Sequence, residues 1–283
     1  MEKLQIALEK ARANRAQTAT GGVAARGTPK AQTSRGEVPF TSTSDLDEAW
    51  SVFPALELDK RRMETRRLLS YEGGPAAAPF DLLRTKLTQA ASRENWKRIA
   101  VVSPGASAGK TTTMTNLAFA LARQPDLRTI ALDFDLRRPA LHQILGQSPR
   151  QGMVDVIYNR VGFDQHGRRL NTNLVFGMND RAERNSSEVL HGHQTEALIS
   201  ALEETFQPDY MLFDMPPMLA ADDAYGFLTH VDAALIVVEA EKTPMAQIDV
   251  VERQVSEMTG VLGVVLNKCN YSDGVYAADY GYY

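Results

Sequence analysis

One stretch of the chain carries the residue types of phosphate chemistry: Ser103-Pro104-Gly105-Ala106-Ser107-Ala108-Gly109-Lys110-Thr111. Small residues let backbone N–H groups curl around phosphate oxygens. Lys110 adds a mobile positive charge, and the Thr111 hydroxyl can ligate a divalent cation. The apolar run Ile99-Ala100-Val101-Val102 precedes the loop, and a helix-like stretch to Ala122 follows it. Strand, glycine-containing loop, Gly-Lys-Thr and helix form the layout of a phosphate-binding P-loop. Gly105, Ala106, Ser107, Ala108, Gly109, Lys110, Thr111 and Thr112 are the predicted nucleotide cradle. The loop is a variant, because Pro104 stands where the motif's first glycine usually lies and the glycine is Gly105 instead.

Carboxylates supply the second part of the chemistry. Asp133-Phe134-Asp135 follows the apolar run Thr129–Leu132, and Asp-x-Asp puts both acids on one side of an extended chain. Near a nucleotide phosphate such a pair can hold Mg²⁺, and one member can accept a proton from a nucleophile. Asp214 ends Tyr210-Met211-Leu212-Phe213, as the second Mg²⁺ element of P-loop proteins does. Met215-Pro216-Pro217 then stops that strand and stiffens the loop. Thr111, Asp135 and Asp214 are the predicted metal-binding set. Asn267, after the last apolar run, either hydrogen-bonds an adenine edge or forms a turn; Arg137 and Arg138 face either a substrate or water.

These residues need a scaffold that brings strand ends together. Apolar runs at Ile99–Val102, Thr129–Leu132, Leu174–Phe176, Tyr210–Phe213, Ala234–Val238 and Leu262–Leu266 alternate with helical stretches. The helical stretches are Lys110–Ala122, Ser187–Phe206 and Pro244–Met258, with a further helix over Phe80–Ala91. Continuous rather than alternating apolar strands are buried on both faces. The expected fold is therefore α/β: a mostly parallel sheet of the P-loop NTPase type, covered by helices on both faces. Ligands of such sheets bind at the carboxyl ends of the strands, where every candidate residue lies.

Composition narrows the function class. The chain has 283 residues, 43% hydrophobic, with a net charge of −4. That balance excludes a general nucleic-acid coat, and no basic–aromatic interleaving points to base stacking. One cysteine, Cys269, excludes an intrachain disulfide. The five histidines show no metal-ligand spacing. No apolar run reaches membrane-spanning length and no signal-peptide core opens the chain, so a cytoplasmic protein is expected. Residues 1–15 read as an amphipathic helix, and residues 16–72 as a linker, partly disordered. Residues 73–268 read as the catalytic domain, and 269–283 as a flexible tail. Five of the nine tyrosines are in that tail: Tyr271, Tyr276, Tyr280, Tyr282 and Tyr283. Repeated phenols beside a nucleotide site have the form of a substrate.

Together these features resemble the bacterial tyrosine kinase family, specifically the cytoplasmic capsule and exopolysaccharide autokinases of the CpsD/CapB type, relatives of MinD/ParA. The resemblance covers roughly residues 70–283. It includes the variant loop, Asp133-x-Asp135-x-Arg137-x-Pro139 and Gly152-Met153-Val154-Asp155-Val156. It continues through Asn185-Ser186-Ser187-Glu188-Val189-Leu190, Asp214-Met215-Pro216-Pro217, Asp223-Ala224 and Gly263-Val264-Val265-Leu266-Asn267 to the tyrosine tail. It implies an ATP- and Mg²⁺-dependent tyrosine autokinase, with Lys110, Asp133 and Asp135 catalytic, Asp133 as the base, and the five tail tyrosines as acceptors. It further implies regulation of polysaccharide synthesis, chain length or export. The activator would be a separate membrane protein of the polysaccharide co-polymerase type, recruiting the kinase to the inner face of the membrane.

Two departures matter. MinD/ParA ATPases carry an early lysine five residues before the P-loop lysine, and here that residue is Gly105. Many of the kinases carry a Glu-x-x-Arg-x-x-Arg helix that builds rings, and the aligned residues here are Ala78, Asp81 and Arg84. A homo-oligomer is expected, but with an incomplete ring motif. The alternatives are a MinD/ParA-like ATPase and a non-catalytic nucleotide-binding regulator of a polysaccharide export complex.

Overall fold

The structure is a computed structural model that describes residues 43–220 and 222–269. The expected helix at 1–15, the start of the expected linker and the five tail tyrosines lie outside the described residues.

The apolar runs form the sheet. Strands β1 (Arg98–Val102), β2 (Thr129–Asp133), β3 (Arg168–Leu170), β4 (Leu174–Gly177), β5 (Tyr210–Asp214), β6 (Ala233–Glu239) and β7 (Gly260–Asn267) join in the order β3-β4-β2-β5-β1-β6-β7. Every pairing is parallel except β3 with β4. β1 sits between β5 and β6, with no exposed apolar side chain. Its residues divide by alternation: Ala100 and Val102 enter one core layer, Ile99 and Val101 the other. The first layer holds Ile199, Leu202 and Phe206 of helix His193–Phe206 with Val251 and Val255 of helix Met245–Met258. The second holds Met114, Leu117, Ala118 and Leu121 of helix Lys110–Ala122 with Leu87 and Ala91 of helix Ala78–Glu94. The sheet is thus covered on both faces, as its unbroken apolar strands require.

Three local expectations change. Residues 43–72 were expected in a linker, but they form helices Thr43–Ser51 and Lys60–Thr65 and pack on the sheet. Trp50, Phe53, Leu56, Met63 and Leu68 are all buried. Trp50 Nε1 donates to the Phe206 carbonyl at 2.8 Å, and Phe53 meets Phe163 and Phe206 edge-on or tilted. Leu56 N–H donates to Arg169 O at 2.7 Å, and Arg169 N–H donates to Pro54 O at 2.8 Å. This strap therefore covers the free side of β3, which would otherwise expose unpaired backbone. Its apolar residues are isolated among charges with no helical or strand period, which is why composition alone read them as linker.

The expected single helix over Ser187–Phe206 is two, Ser186–His191 and His193–Phe206. Gly192 separates them in an extended conformation, and Thr195 Oγ1 back-bonds to Val189 O at 2.6 Å. Strand β3 was absent from the expectation because Arg168 and Arg169 supply two of its three residues.

Candidate functional site

The phosphate loop leaves the end of β1 at the sheet's reversal of order, and helix Lys110–Ala122 begins at its far end. Ser107 (φ +63°) and Gly109 (φ +95°) both adopt the left-handed region, which turns the intervening backbone into a concave, N–H-lined arc. Gly109 has a second constraint: a Cβ there would run into the Asn267 amide. Gly105, Ala106 and Ser107 are exposed, whereas Ala108 and Lys110 are buried. No side chain caps the helix start, so its first N–H groups remain for an anion. Gly105 differs from Gly109, because a Cβ on it would meet nothing within 4 Å. The backbone there leaves open space for a Cβ, and the chain carries glycine.

Parallel pairing sets the carboxylates side by side. Asp133 at the end of β2 pairs in register with Asp214 at the end of β5, and both are wholly buried. Thr111 Oγ1 donates to Asp214 Oδ2 at 2.5 Å. Asp133 Oδ2 accepts from Leu141 N–H at 3.2 Å, and its backbone carbonyl accepts from Asn179 Nδ2 at 2.7 Å. Among the described residues the remaining oxygens, Asp133 Oδ1 and Asp214 Oδ1, have no hydrogen-bond partner. Asp135 is 9% exposed and accepts from Arg138 N–H at 3.0 Å. The segment after β5 lies along the loop, with Met218 N–H on Ser103 O at 2.8 Å and Leu219 N–H on Pro104 O at 3.1 Å.

Burial dominates the electrostatics. It pushes the Asp133 carboxyl well above the usual range, and the neighbouring Asp214 adds to that shift. Asp214 is pushed up to about 7 by burial, although Lys110 and the Thr111 hydroxyl oppose the change. Asp135 is raised by burial and held back by Lys110. A buried, uncompensated carboxylate pair is costly without a cation, and the unpartnered Asp214 Oδ1 is free to ligate one. Among the described residues no three His, Cys, Asp or Glu side chains form a preformed metal cage. Mg²⁺ does not require one, since it takes one or two carboxylates, waters and substrate phosphates. Thr111 and Asp214 fit that pattern, with Asp135 within electrostatic reach of Asp214.

The carboxylate strain is measurable in the nucleotide-free chain. A folded pKa near 7 against an unfolded value near 4 means that Asp214 favours the native state at low pH. That contribution is lost as pH rises through the folded value. Asp214→Asn keeps an oxygen acceptor for Thr111 and removes the charge. Denaturant unfolding at pH 8 should show the variant more stable by roughly 2–4 kcal/mol, with no difference near pH 4. The same variant should lose nucleotide-dependent chemistry.

Asn267, expected to meet an adenine edge or to form a turn, bonds both the phosphate loop and its own neighbour. Its Nδ2 donates to Ala108 O at 2.8 Å, and its Oδ1 accepts from Lys268 N–H at 2.9 Å. The amide braces the phosphate loop. Lys268 Nζ joins it, donating to Ser107 O at 2.7 Å while pairing with Glu239 at 3.3 Å. A cleft of about 290 Å³ opens beside these residues at the ends of β6 and β7. On the opposite side of the loop, Arg137 pairs with the buried Asp223 at 2.6 Å, so its guanidinium is anchored rather than free in solvent. Arg137 and Arg138 line a second cleft, of about 450 Å³, with His142 and Arg181.

Sequence reasoning did not single out Asn116, Asn179 or Arg181. Asn116 and Asn179 are buried amides that bond backbone from distant segments, and neither lies in a recognisable pattern. Thr112 is half-buried, and its carbonyl accepts from Asn116 Nδ2 at 2.9 Å.

Comparison with known proteins adds relatives to this geometry. Residues 99–276 match the family described as the CobQ/CobB/MinD/ParA nucleotide binding domain. The tyrosine-protein kinase ptk of Acinetobacter johnsonii is 28% identical over 197 residues, covering 69% of this chain and 26% of that protein. The chain thus spans about a quarter of that relative. The tyrosine-protein kinase CpsD of Streptococcus agalactiae is 28% identical over 210 residues, covering 72% of this chain and 88% of its own length. The kinase domain of Escherichia coli tyrosine kinase ETK superposes with a TM-score of 0.64 at 21% identity, covering 74% of this chain and 82% of that one. That likeness bears on the fold. A mostly parallel sheet, a Gly-Lys-Thr loop at its reversal point and a family match over most of the chain agree: the protein belongs to the CobQ/CobB/MinD/ParA nucleotide-binding family.

Proposed function

We propose that the chain is an ATP- and Mg²⁺-dependent protein tyrosine autokinase whose acceptors are Tyr271, Tyr276, Tyr280, Tyr282 and Tyr283. The observation that carries the reading is the buried Asp133–Asp214 pair against Thr111 and Lys110, with an unpartnered oxygen on each acid. Loop amides and Lys110 bind the phosphates and offset their charge. Thr111, Asp214 and Asp135 would hold Mg²⁺, which supplies charge neutralisation at the transferring phosphoryl group. A free phenol has a pKa of about 10, so transfer near neutral pH needs a base. Asp133 takes the phenolic proton, the phenolic oxygen bonds to the γ-phosphorus, the β–γ bridge breaks and ADP leaves with the bridging oxygen.

In this reading the tail of one molecule is phosphorylated by another, and each phosphate adds roughly −1.5 to −2 charges. That charge would loosen an assembly and so regulate capsule or exopolysaccharide synthesis, chain length or export. The names of the relatives support the activity. A separate membrane partner of the polysaccharide co-polymerase type would recruit the chain to the inner face of the membrane. Among the described residues no helix is long and apolar enough to cross a membrane.

The ring motif is diverted in this chain. Asp81 bonds Arg123, and Arg84 pairs with Asp81 at 3.4 Å while donating to Ala120 O at 3.1 Å. These contacts staple helix Ala78–Glu94 to the phosphate-loop helix within one molecule. In this reading those contacts compete with ring assembly through that helix. The ATPase alternative loses support at Gly105, which stands where the MinD/ParA ATPases carry their early lysine.

The deciding experiment is incubation of the purified chain with ATP and Mg²⁺, with and without the membrane partner, followed by mass spectrometry. Phosphotyrosine should appear within 271–283, and replacing the five tyrosines with Phe should remove most of the incorporated phosphate while ATP binding persists. Phosphate released only to water would favour the ATPase, and binding without turnover the regulator.

A further inference from the structure

We propose that Arg67, carried by the strap before the sheet, forms the base-side wall of the nucleotide site and stacks its guanidinium on the base. This deepens the kinase reading, although it requires only that a nucleotide binds. The phosphate loop has two unequal sides. Toward β5 and β2 stand Asp214, Asp133 and Asp135, which suit a metal and phosphates and repel an electron-rich base face. Toward β6 and β7 lies the cleft of about 290 Å³, joined to the loop through Lys268 and Ser107. A nucleotide whose phosphates occupy the loop therefore extends its ribose and base into that cleft.

The strap supplies the cleft's outer wall at one residue, Arg67. Its backbone position is fixed from the phosphate-loop helix itself. Asn116, fully buried, donates from Nδ2 to Arg67 O at 3.0 Å and accepts from Ser70 N–H on Oδ1 at 2.9 Å. Leu68 is buried beside it. Arg67 adopts φ +57° as the residue that closes helix Lys60–Thr65, its N–H donating to Glu64 O at 3.0 Å and the next N–H, of Leu68, to Met63 O at 2.8 Å, so the helix end fixes where its side chain departs.

The charges in the cleft are unequally satisfied. Lys242 pairs with Glu239 at 2.6 Å and Lys268 pairs with it at 3.3 Å. Those two ammonium groups share the one Glu239 carboxylate, which holds both of them in place. The Arg67 side chain is exposed, and among the described residues its guanidinium forms no ion pair. A planar, weakly hydrated cation at the rim of the cleft is suited to stacking on an aromatic ring. Glu241, on the same cleft, can accept from a ribose hydroxyl or an exocyclic amine.

The test compares two ligands on the full chain by calorimetry at fixed Mg²⁺: ATP and inorganic tripolyphosphate. Arg67→Asn tolerates the left-handed backbone, and Arg67→Lys retains charge without the planar face. Arg67→Asn should weaken ATP about tenfold and leave tripolyphosphate unchanged, with Arg67→Lys recovering only part of the loss. Equal weakening of both ligands would make Arg67 a phosphate contact and overturn the proposal. Unchanged ATP affinity would overturn it as well, as would a parent chain that binds no ATP. Selective loss of ATP binding in a chain that transfers no phosphate to tyrosine would sustain this inference while the kinase reading falls.

Discussion

Lys110→Met is expected to lower phosphate transfer to tyrosine by at least about a hundredfold, the usual cost of losing one preorganised charge at a reacting phosphoryl group. The side chain is buried, opens its helix, and moderates both Asp135 and Asp214. Methionine keeps the length and loses the charge. In the nucleotide-free chain the fold should survive, because without Lys110 the acids shift further toward their neutral forms instead of leaving charge buried. Far-UV circular dichroism should match the parent, ATP affinity should fall, and phosphotyrosine by mass spectrometry should disappear. Transfer at the parent rate would remove Lys110 from the site and with it the assignment of the loop.

That clean expectation is possible because the loop was readable from local chemistry. Gly109-Lys110-Thr111 needs a preceding buried strand and a following helix, and both are written as contiguous runs. Helix Lys110–Ala122 appears with the same ends that its residues announce. Asp133 and Asp214 stand at the ends of apolar runs, and parallel pairing then sets them in register. Burial of both on adjacent strands follows from the sheet order, which no single run contains.

What escaped the sequence has a common cause, namely bonds between distant segments. Trp50 meets Phe206, the backbone around Leu56 pairs with Arg169, and Asn116 fixes the carbonyl of Arg67. None of these contacts leaves a period or motif in its own neighbourhood. Asn267 shows a subtler limit. Its place after β7 was legible, but its bond to Ala108 O, 2.8 Å away, joins segments 159 residues apart in the chain. Gly105 shows the converse. Its departure from the early-lysine pattern was visible in sequence, and the structure adds that crowding at the Cβ position is not the reason. Asp81 also changes meaning. As a departure from a ring motif it signalled loss, whereas its contacts with Arg84 and Arg123 show a different bond in its place.

The assignment of the base leads to the second large effect. Asp133→Asn should lower kcat by roughly 10²–10⁴, the range for removing a general base, with ATP affinity near the parent's. Asparagine preserves the acceptor for Leu141 N–H and the shape of the buried site. The competing candidate is Asp135, which is the more accessible acid and shares the electrostatic reach of Lys110. Their pH profiles separate them. Burial, reinforced by Asp214, raises Asp133 in the free protein, and only its ionised form accepts a proton. The rate should therefore climb with pH through a value above the ordinary carboxylate range. That limb in kcat/KM reports the free protein, whereas the limb in kcat reports the loaded one. Bound Mg²⁺ brings positive charge to the acids and should shift the kcat limb to lower pH than the kcat/KM limb. Asp133→Asn should abolish both limbs along with most of the rate. If Asp135→Asn does this while Asp133→Asn keeps the parent profile, Asp135 is the base and Asp133 serves to hold the metal-side charge.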